Sequence, residues 1–237
     1  MMIGTPEWRE VIRDGAGRLG VEVPGAVLDQ FAVHARELLL WNSKINLTAI
    51  TDPLAVAVNH YIDAIAPANL IPAPARVLDI GTGGGFPGLP LKLLQPALTL
   101  TLIDAARKKV SFLNHVGRVL HLTGYRAVHL RLEKLKSAAE TTRPAAVGLG
   151  PFDVIVSRAL ASLEDYLALA VPLVAAKGLI LALKGRISAA EVATARRFLT
   201  AIGSSVRGGL GVPELTVKHY RLPVFDSDRS IVVVRFG

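Results

Sequence analysis

Residues 76–90 read Arg-Val-Leu-Asp-Ile-Gly-Thr-Gly-Gly-Gly-Phe-Pro-Gly-Leu-Pro, and few folds accommodate such a run. Val77, Leu78 and Ile80 make a short apolar strand around Asp79, and glycines then fill positions 81 and 83–85. Glycine enters the positive-φ region without steric cost and lets backbone approach a ligand with no Cβ in between. A strand that stops on such a turn and feeds a helix is a cradle for a nucleotide-bearing ligand. The chain around it must then supply a sheet, a helix to follow, and further strands in parallel.

It does. Beyond Arg76 strand-like runs at Arg76–Ile80, Leu98–Asp104, Tyr125–Leu130, Phe152–Ser157 and Gly178–Lys184 alternate with helical patterns at Leu89–Leu94, Arg107–Leu120, Ser162–Ala175 and Ala189–Ala201. Val110, Leu113, Val116 and Leu120 recur at helical spacing, while Lys108 and Lys109 read as a solvated helix face. This rhythm predicts an α/β fold, a parallel sheet with helices on both faces. His219–Phe225 and Ser230–Phe236, joined by a polar turn at Asp226–Arg229, predict a C-terminal β-hairpin on the sheet edge. Ala138–Gly150, rich in Ala, Gly and Thr, reads as a loop.

Ahead of the sheet the pattern is helical. Thr5, Pro6 and Glu7 suit an N-cap, a first-turn proline and a first-turn acid for a helix reaching about Arg18. From Pro24, residues Val27, Leu28, Phe31, Ala35, Leu38 and Leu39 share a stripe that ends near Asn42, and a third helix starts at Asp52-Pro53. The expected organisation is an N-terminal helical extension over residues 1–70, packed on a core of residues 71–237.

At 237 residues the chain can bury a sizeable core, and a mean hydropathy of +0.43 argues against disorder. No apolar run predicts a membrane span, and Glu7 and Glu10 near the start argue against a secretory signal, so a cytoplasmic protein is expected. The absence of cysteine removes disulfides, thiolate metal sites and a cysteine nucleophile, and the six histidines show no ligand spacing, so no metal is expected. A net charge of +8 suits a polyanionic partner, since Lys and Arg release counterions from phosphates. Many basic proteins, however, bind no nucleic acid.

The glycine loop admits two cofactor classes. Gly83-Gly-Gly-Phe-Pro-Gly88 satisfies the dinucleotide pattern, with Asp104 placed 21 residues after Gly83 as a ribose-binding acid, so a nicotinamide oxidoreductase competes. Against it, Pro87 and Pro90 lack N–H donors where a pyrophosphate would need them, and Asp79 would set a negative charge beside that pyrophosphate. Read as Asp79-x-Gly81-x-Gly83-x-Gly85, the loop suits S-adenosylmethionine, whose methionine end is cationic and which carries no phosphate. A small-molecule methyltransferase would share these features.

Leu78–Pro90, together with Leu102-Ile-Asp-Ala105 and Lys108-Lys-Val-Ser-Phe-Leu113, resembles the bacterial 16S rRNA guanine-N7 methyltransferase family, also called glucose-inhibited division protein B (RsmG-like). Trp41-Asn42, Asn46–Ile50, His60–Asp63, Arg131-Leu-Glu133, Val156–Ala159 and Leu183-Lys-Gly185 resemble further blocks of that family. The resemblance implies a Rossmann-like S-adenosylmethionine-dependent methyltransferase sheet, and 16S rRNA or the small ribosomal subunit as partner. It implies cofactor contacts from Gly81 and Phe86 in the loop, from Asp104 at the ribose, from Leu132 and Glu133 near the adenine, and from Arg158. Asp79, Gly83 and Gly85 join that set by their place in the loop. Arg158 follows a strand and so emerges at the carboxyl edge of the sheet, as a positioning residue with Lys184 or as a structural ion pair. Asn46, His60, Lys184 and Arg186 are candidates for holding RNA, with a packed histidine the simpler reading of His60 and a solvated acid the simpler reading of Glu133.

Overall fold

The structure is a computed structural model, and it describes residues 1–131, 149–158, 162–203 and 213–237. Leu132, Glu133 and nearly all of the 138–150 loop lie outside the described residues.

Five parallel strands form the body of the sheet: β1 (Arg76–Ile80), β2 (Thr99–Asp104), β3 (Tyr125–His129), β4 (Phe152–Arg158) and β5 (Val174–Lys184). β6 (Glu214–Leu222) and β7 (Ser227–Arg235) close one side as an antiparallel hairpin, giving the order β3-β2-β1-β4-β5-β7-β6. The order reverses between β1 and β4, which opens a crevice at the carboxyl ends of those strands, where open α/β sheets bind ligands.

Side chains alternate between two apolar layers with the period of two that a strand imposes. Val77, Val154, Val156, Leu179, Leu181 and Val233 face one layer; Leu78, Ile80, Ile155, Ile180, Val232 and Val234 face the other. The first layer is covered by α1 (Pro6–Arg18), α2 (Gly25–Ile45), the segment formed by α3 (Pro53–Val56), a π-helical stretch Ala57–Ile62 and α4 (Asp63–Ile65), and by α5 (Gly88–Leu94) and α6 (Arg107–Val119). The second is covered by α7 (Leu163–Ala170) and α8 (Ala189–Gly203). Trp8, Phe31 and Tyr61 pack ring against ring inside the first layer, so one continuous core runs from α1 to β7.

Several boundaries differ from the sequence reading. The helix expected over Ser162–Ala175 stops at Ala170, because Pro172 starts a short 3-10 turn (Val171–Leu173) and β5 begins already at Val174. α2 runs past Asn42 to Ile45, and Asn46 ends it in the left-handed conformation (φ 49°). The hairpin strands are longer than expected and the turn falls at residues 223–226, not at Asp226–Arg229. Pairing of Ser227 with Leu222 through Ser230 with His219 absorbs those polar residues into the ladder. Thr5 stands at the N-cap of α1 without a side-chain cap bond.

Candidate active site

The glycine loop connects β1 to α5, and all its backbone amides but that of Gly84 are already committed. Gly81 and Thr82 donate to the Ile103 carbonyl, Gly85 and Phe86 to the Thr82 carbonyl, and Leu89 to Gly85. Gly83 donates to Asp104 Oδ2 at 3.0 Å, and Gly88 donates to Asp79 Oδ2 at 2.8 Å. With Pro90 lacking a donor, the start of α5 has no cluster of free N–H groups with which to hold a pyrophosphate, which removes the basis of the dinucleotide alternative. Gly81, Gly83 and Gly85 all take positive φ. At Gly85 the value is 98°, which an L side chain rarely adopts, so this position is closed to other residues. A Cβ on Gly88 would fall 2.8 Å from Asp79 Oδ2 and 2.9 Å from Leu102, so glycine is what lets α5 sit directly on the carboxylate. The Phe86–Pro87 peptide is cis.

Asp79 is fully buried below the loop. Its Oδ2 accepts from Thr82 Oγ1 (2.7 Å) and from Gly88, while Oδ1 is buried with no hydrogen-bond partner among the described residues. Desolvation pushes its carboxyl up from 3.8 to about 6, the two hydrogen bonds and the charge of Arg158 resisting. Asp104 ends β2, and its two oxygens accept from Gly83 and from Ala106 (2.8 Å), tying the loop to the start of α6. Each of those oxygens keeps a lone pair for another donor.

The N-terminal helices reach into this site. His34 of α2 is fully buried; its Nε2 bonds the Gly84 carbonyl at 2.9 Å and its Nδ1 bonds the Tyr61 hydroxyl at 3.0 Å. Burial lowers its pKa to about 4, so the ring is neutral, with Nε2–H donating to Gly84 and Nδ1 accepting from Tyr61. Leu38 packs against Gly84 from the same helix.

The π-helical stretch presents Asn59 and His60, and the start of α4 presents Asp63, to the carboxyl edge of the sheet. Arg158, at the end of β4, donates to the Asn59 carbonyl (2.5 Å), approaches Asp63 Oδ2 (3.4 Å) and His60 Nδ1 (3.2 Å), and lies over the Phe86 ring at 5.1 Å. Since arginine only donates, His60 accepts at Nδ1 and carries its proton on Nε2, which bonds Thr48 Oγ1 at 2.8 Å. Burial first, and then the charge of Arg158, lower the His60 pKa to about 3. Asp63 Oδ1 accepts from Tyr220 (2.8 Å) and faces Arg229 Nε (3.3 Å), so one buried carboxylate holds two guanidiniums, one from β4 and one from β7. A cleft of about 340 Å3 opens there, lined by Asp63, Arg158, Leu183, Lys184, Arg186 and Arg229.

The residues singled out from sequence therefore fall into distinct settings. Asp79, Gly81, Gly83, Gly85 and Asp104 converge on the loop. The Phe86 ring is buried and stacks on His60 (4.5 Å, 15°), leaving only its backbone for a ligand. His60 is 6% exposed with both nitrogens engaged, the setting of a packed histidine, which was the simpler of its two readings. Arg158 forms the ion pair that was its competing reading while still lining the cleft. Lys184 is paired with Glu191 at 2.6 Å and Arg186 with Asp228 at 2.8 Å, the latter on a side chain 87% exposed. Asn46 is exposed at the end of α2, and Lys108 is exposed on α6. His34, Tyr61, Tyr220 and Arg229 escaped the sequence reading, because their partners lie 27 to 170 residues away. Among the described residues no group of three or more His, Cys, Asp or Glu could hold a metal, and no helix is long and apolar enough to cross a membrane.

Residues 27–207 match the family described as GidB, rRNA small subunit methyltransferase G. The chain belongs to this family. Among its relatives, ribosomal RNA small subunit methyltransferase G of Geobacter sp. (strain M21) is 38% identical over 226 residues, covering 95% of this chain and 96% of the relative. The protein of the same name from Caldanaerobacter subterraneus subsp. tengcongensis is 35% identical over 228 residues, covering 95% and 89%. Among solved structures, M. jannaschii TYW2 in complex with AdoMet is similar with a TM-score of 0.56 at 10% identity, covering 82% of this chain and 79% of that one. Ribosomal protein L11 methylase from Lactobacillus delbrueckii subsp. bulgaricus matches with a TM-score of 0.51 at 15% identity, covering 75% and 78%. At such identities the two structures establish the Rossmann-like fold alone.

Proposed function

We propose that this GidB-family methyltransferase transfers a methyl group from S-adenosylmethionine to guanine N7 of 16S ribosomal RNA in the small subunit, as a cytoplasmic enzyme. The observation that carries the cofactor reading is the pairing of a self-satisfied loop with a buried acid that keeps one oxygen free. Amides already bonded offer nothing to a pyrophosphate, whereas Asp79 Oδ1 is an acceptor suited to an ammonium. Asp104 would take the ribose diol on its remaining lone pairs, and Gly81, Gly83, Gly85 and the Phe86 backbone would line the cofactor. Leu132 and Glu133 keep the adenine role that the family resemblance implies.

Bound S-adenosylmethionine supplies an electrophilic methyl group on a sulfonium. Guanine N7 has a free lone pair and loses no proton, so the protein's task is in-line positioning. The site agrees: His60 is neutral with both nitrogens occupied, which leaves it unfit as a base. Arg158 and Lys184 would hold and orient the RNA at the cleft, with Arg186 and Asn46 at its margin, and the helices of residues 1–70 serve as the scaffold behind the loop. The test is incubation with labelled S-adenosylmethionine and undermethylated small-subunit RNA or particles, mapping the product by cleavage at 7-methylguanosine. We expect label at a guanine N7. Stabilisation by NAD in place of S-adenosylmethionine in a thermal-shift comparison would overturn the cofactor reading.

A further inference from the structure

The β6–β7 turn carries a feature that the methyl-transfer site does not use. Leu222 and Pro223 are buried, and the chain then turns two apolar side chains outward: Val224 is 48% exposed and Phe225 is 43% exposed. Phe225 is the one aromatic among the exposed large hydrophobic residues of the described chain. Val224 holds a φ of 75° and Asp226 one of 47°, and for a β-branched residue the first is an outlier that the surroundings must enforce. They do so. Arg221 grips Asp226 through both its side-chain carboxylate and its carbonyl, and Asp228, bound in turn by Arg186, holds the next turn of chain.

Register fixes where this tip points. β5 ends at Lys184, which pairs with Ser230, so residues 227–229 pair with β6 alone and run past the end of the parallel sheet. From Ser230 to Ser227 the overhang is about 10 Å at the rise of an extended strand. It projects from the carboxyl edge, the edge that carries the glycine loop, Asp104 and Arg158. Below it lie the cleft of Arg158, Lys184, Arg186 and Arg229 and a second cleft of about 410 Å3 lined in part by Arg186, Tyr220, Arg221 and Arg229. Arg186 and Arg221 keep 87% and 59% of their side chains in solvent.

We propose that the Val224–Phe225 tip is a stacking platform for an unpaired base of the RNA, flanking the base that is methylated, with the solvent-facing Arg186 receiving an adjoining phosphate on the donors that its pair with Asp228 leaves over. This rests on the RNA reading of the active site. Unpaired RNA is recognised largely through splayed bases stacked on aromatic faces, and every base presents such a face. A rigid turn suits this role better than a flexible one, because little ordering is left to lose on binding. The aromatic ring supplies stacking, and the Arg186 guanidinium beneath, with the net charge of +8, supplies the sequence-independent attraction.

The test compares the full chain with Phe225→Ala, Phe225→Leu and Phe225→Trp in methyl transfer to undermethylated small-subunit RNA. Stacking is worth about 1–3 kcal/mol per base, so KM for RNA should rise roughly 5- to 150-fold in Phe225→Ala and Phe225→Leu. The same variants should keep kcat, S-adenosylmethionine affinity and the salt slope of RNA binding, since no phosphate contact is removed. Phe225→Trp should retain affinity, and its added fluorescence should be quenched by RNA. Unchanged KM in Phe225→Ala, while the parent protein methylates the RNA, overturns the platform. So does a dimer that the Phe225→Ala change dissociates, which would make the tip a protein contact. Failure of the parent to methylate RNA at all would instead overturn the function proposed above.

Discussion

Asp79→Asn separates the cost of burying a carboxylate from its use. The acid titrates at 3.8 when exposed and at about 6 in the folded protein. Below the lower value both states hold the proton and the group contributes nothing. Between the two values the folded state keeps a proton that the unfolded state has released, so stability falls as pH rises. Above about pH 6 both states are ionised and the whole penalty, two units or about 3 kcal/mol, persists. The asparagine carries no such dependence. Its amide brings a constant cost, because it places a donor where Oδ1 has no partner. The informative quantity is therefore the change in the stability difference with pH. Between about pH 4.5 and about pH 7.5 the parent should lose about 2 kcal/mol relative to the variant in urea unfolding without cofactor. At the upper pH the variant should bind S-adenosylmethionine at least tenfold more weakly, having lost the acceptor for the ammonium. In the parent, cofactor affinity should itself weaken as pH drops below about 6, where Asp79 takes up its proton. A stability difference that stays flat across this range would refute the shifted carboxyl, and unchanged cofactor affinity would refute the role given to Oδ1.

Asp63→Ala should destabilise by about 3–5 kcal/mol, since it strands Arg158 and Arg229 in a buried setting; thermal unfolding reads this, and a loss below 1 kcal/mol would show that water replaces the carboxylate. Asp104→Ala should weaken S-adenosylmethionine binding measured by calorimetry and also release Gly83 and Ala106, so that Asp104→Asn, which keeps an acceptor, recovers part of the loss. For His34, held neutral with a pKa lowered to about 4, stability is fully present above pH 6.5 and is lost as pH falls towards 4. His34→Phe should abolish that part of the acid sensitivity, and an unaltered pH profile would place the sensitivity elsewhere.

The strand and helix rhythm after Arg76 was legible because each element repeats its own period, and the carboxyl-edge positions of Asp79, Asp104 and Arg158 followed from strand ends. Boundaries were legible less well where one signal masked another. The apolar run through Ala175 reads as helix until Pro172 is allowed to end it, and Ser227 to Ser230 read as a turn until pairing with β6 satisfies their backbone. The least legible part was the polar network. His34, Tyr61, Asp63, Tyr220 and Arg229 are spread over most of the chain, and nothing local marks a histidine that will bond a glycine carbonyl 50 residues on. Asp63 and Arg158 were each visible as part of a family block, but their pairing with each other and with Arg229 was not, because charge pairing between distant segments leaves no periodic trace.

The bond from His34 to Gly84 makes the first helices thermodynamic partners of whatever the loop binds. Ligand binding stabilises a folded state by RT ln(1 + [L]/Kd), and that free energy is shared with every element whose opening would release the loop. α2 is such an element, fastened at Gly84 by one hydrogen bond and by Leu38. Filling the cofactor site should therefore slow amide hydrogen exchange along α2. The N-terminal helices would then report on the state of the cofactor site.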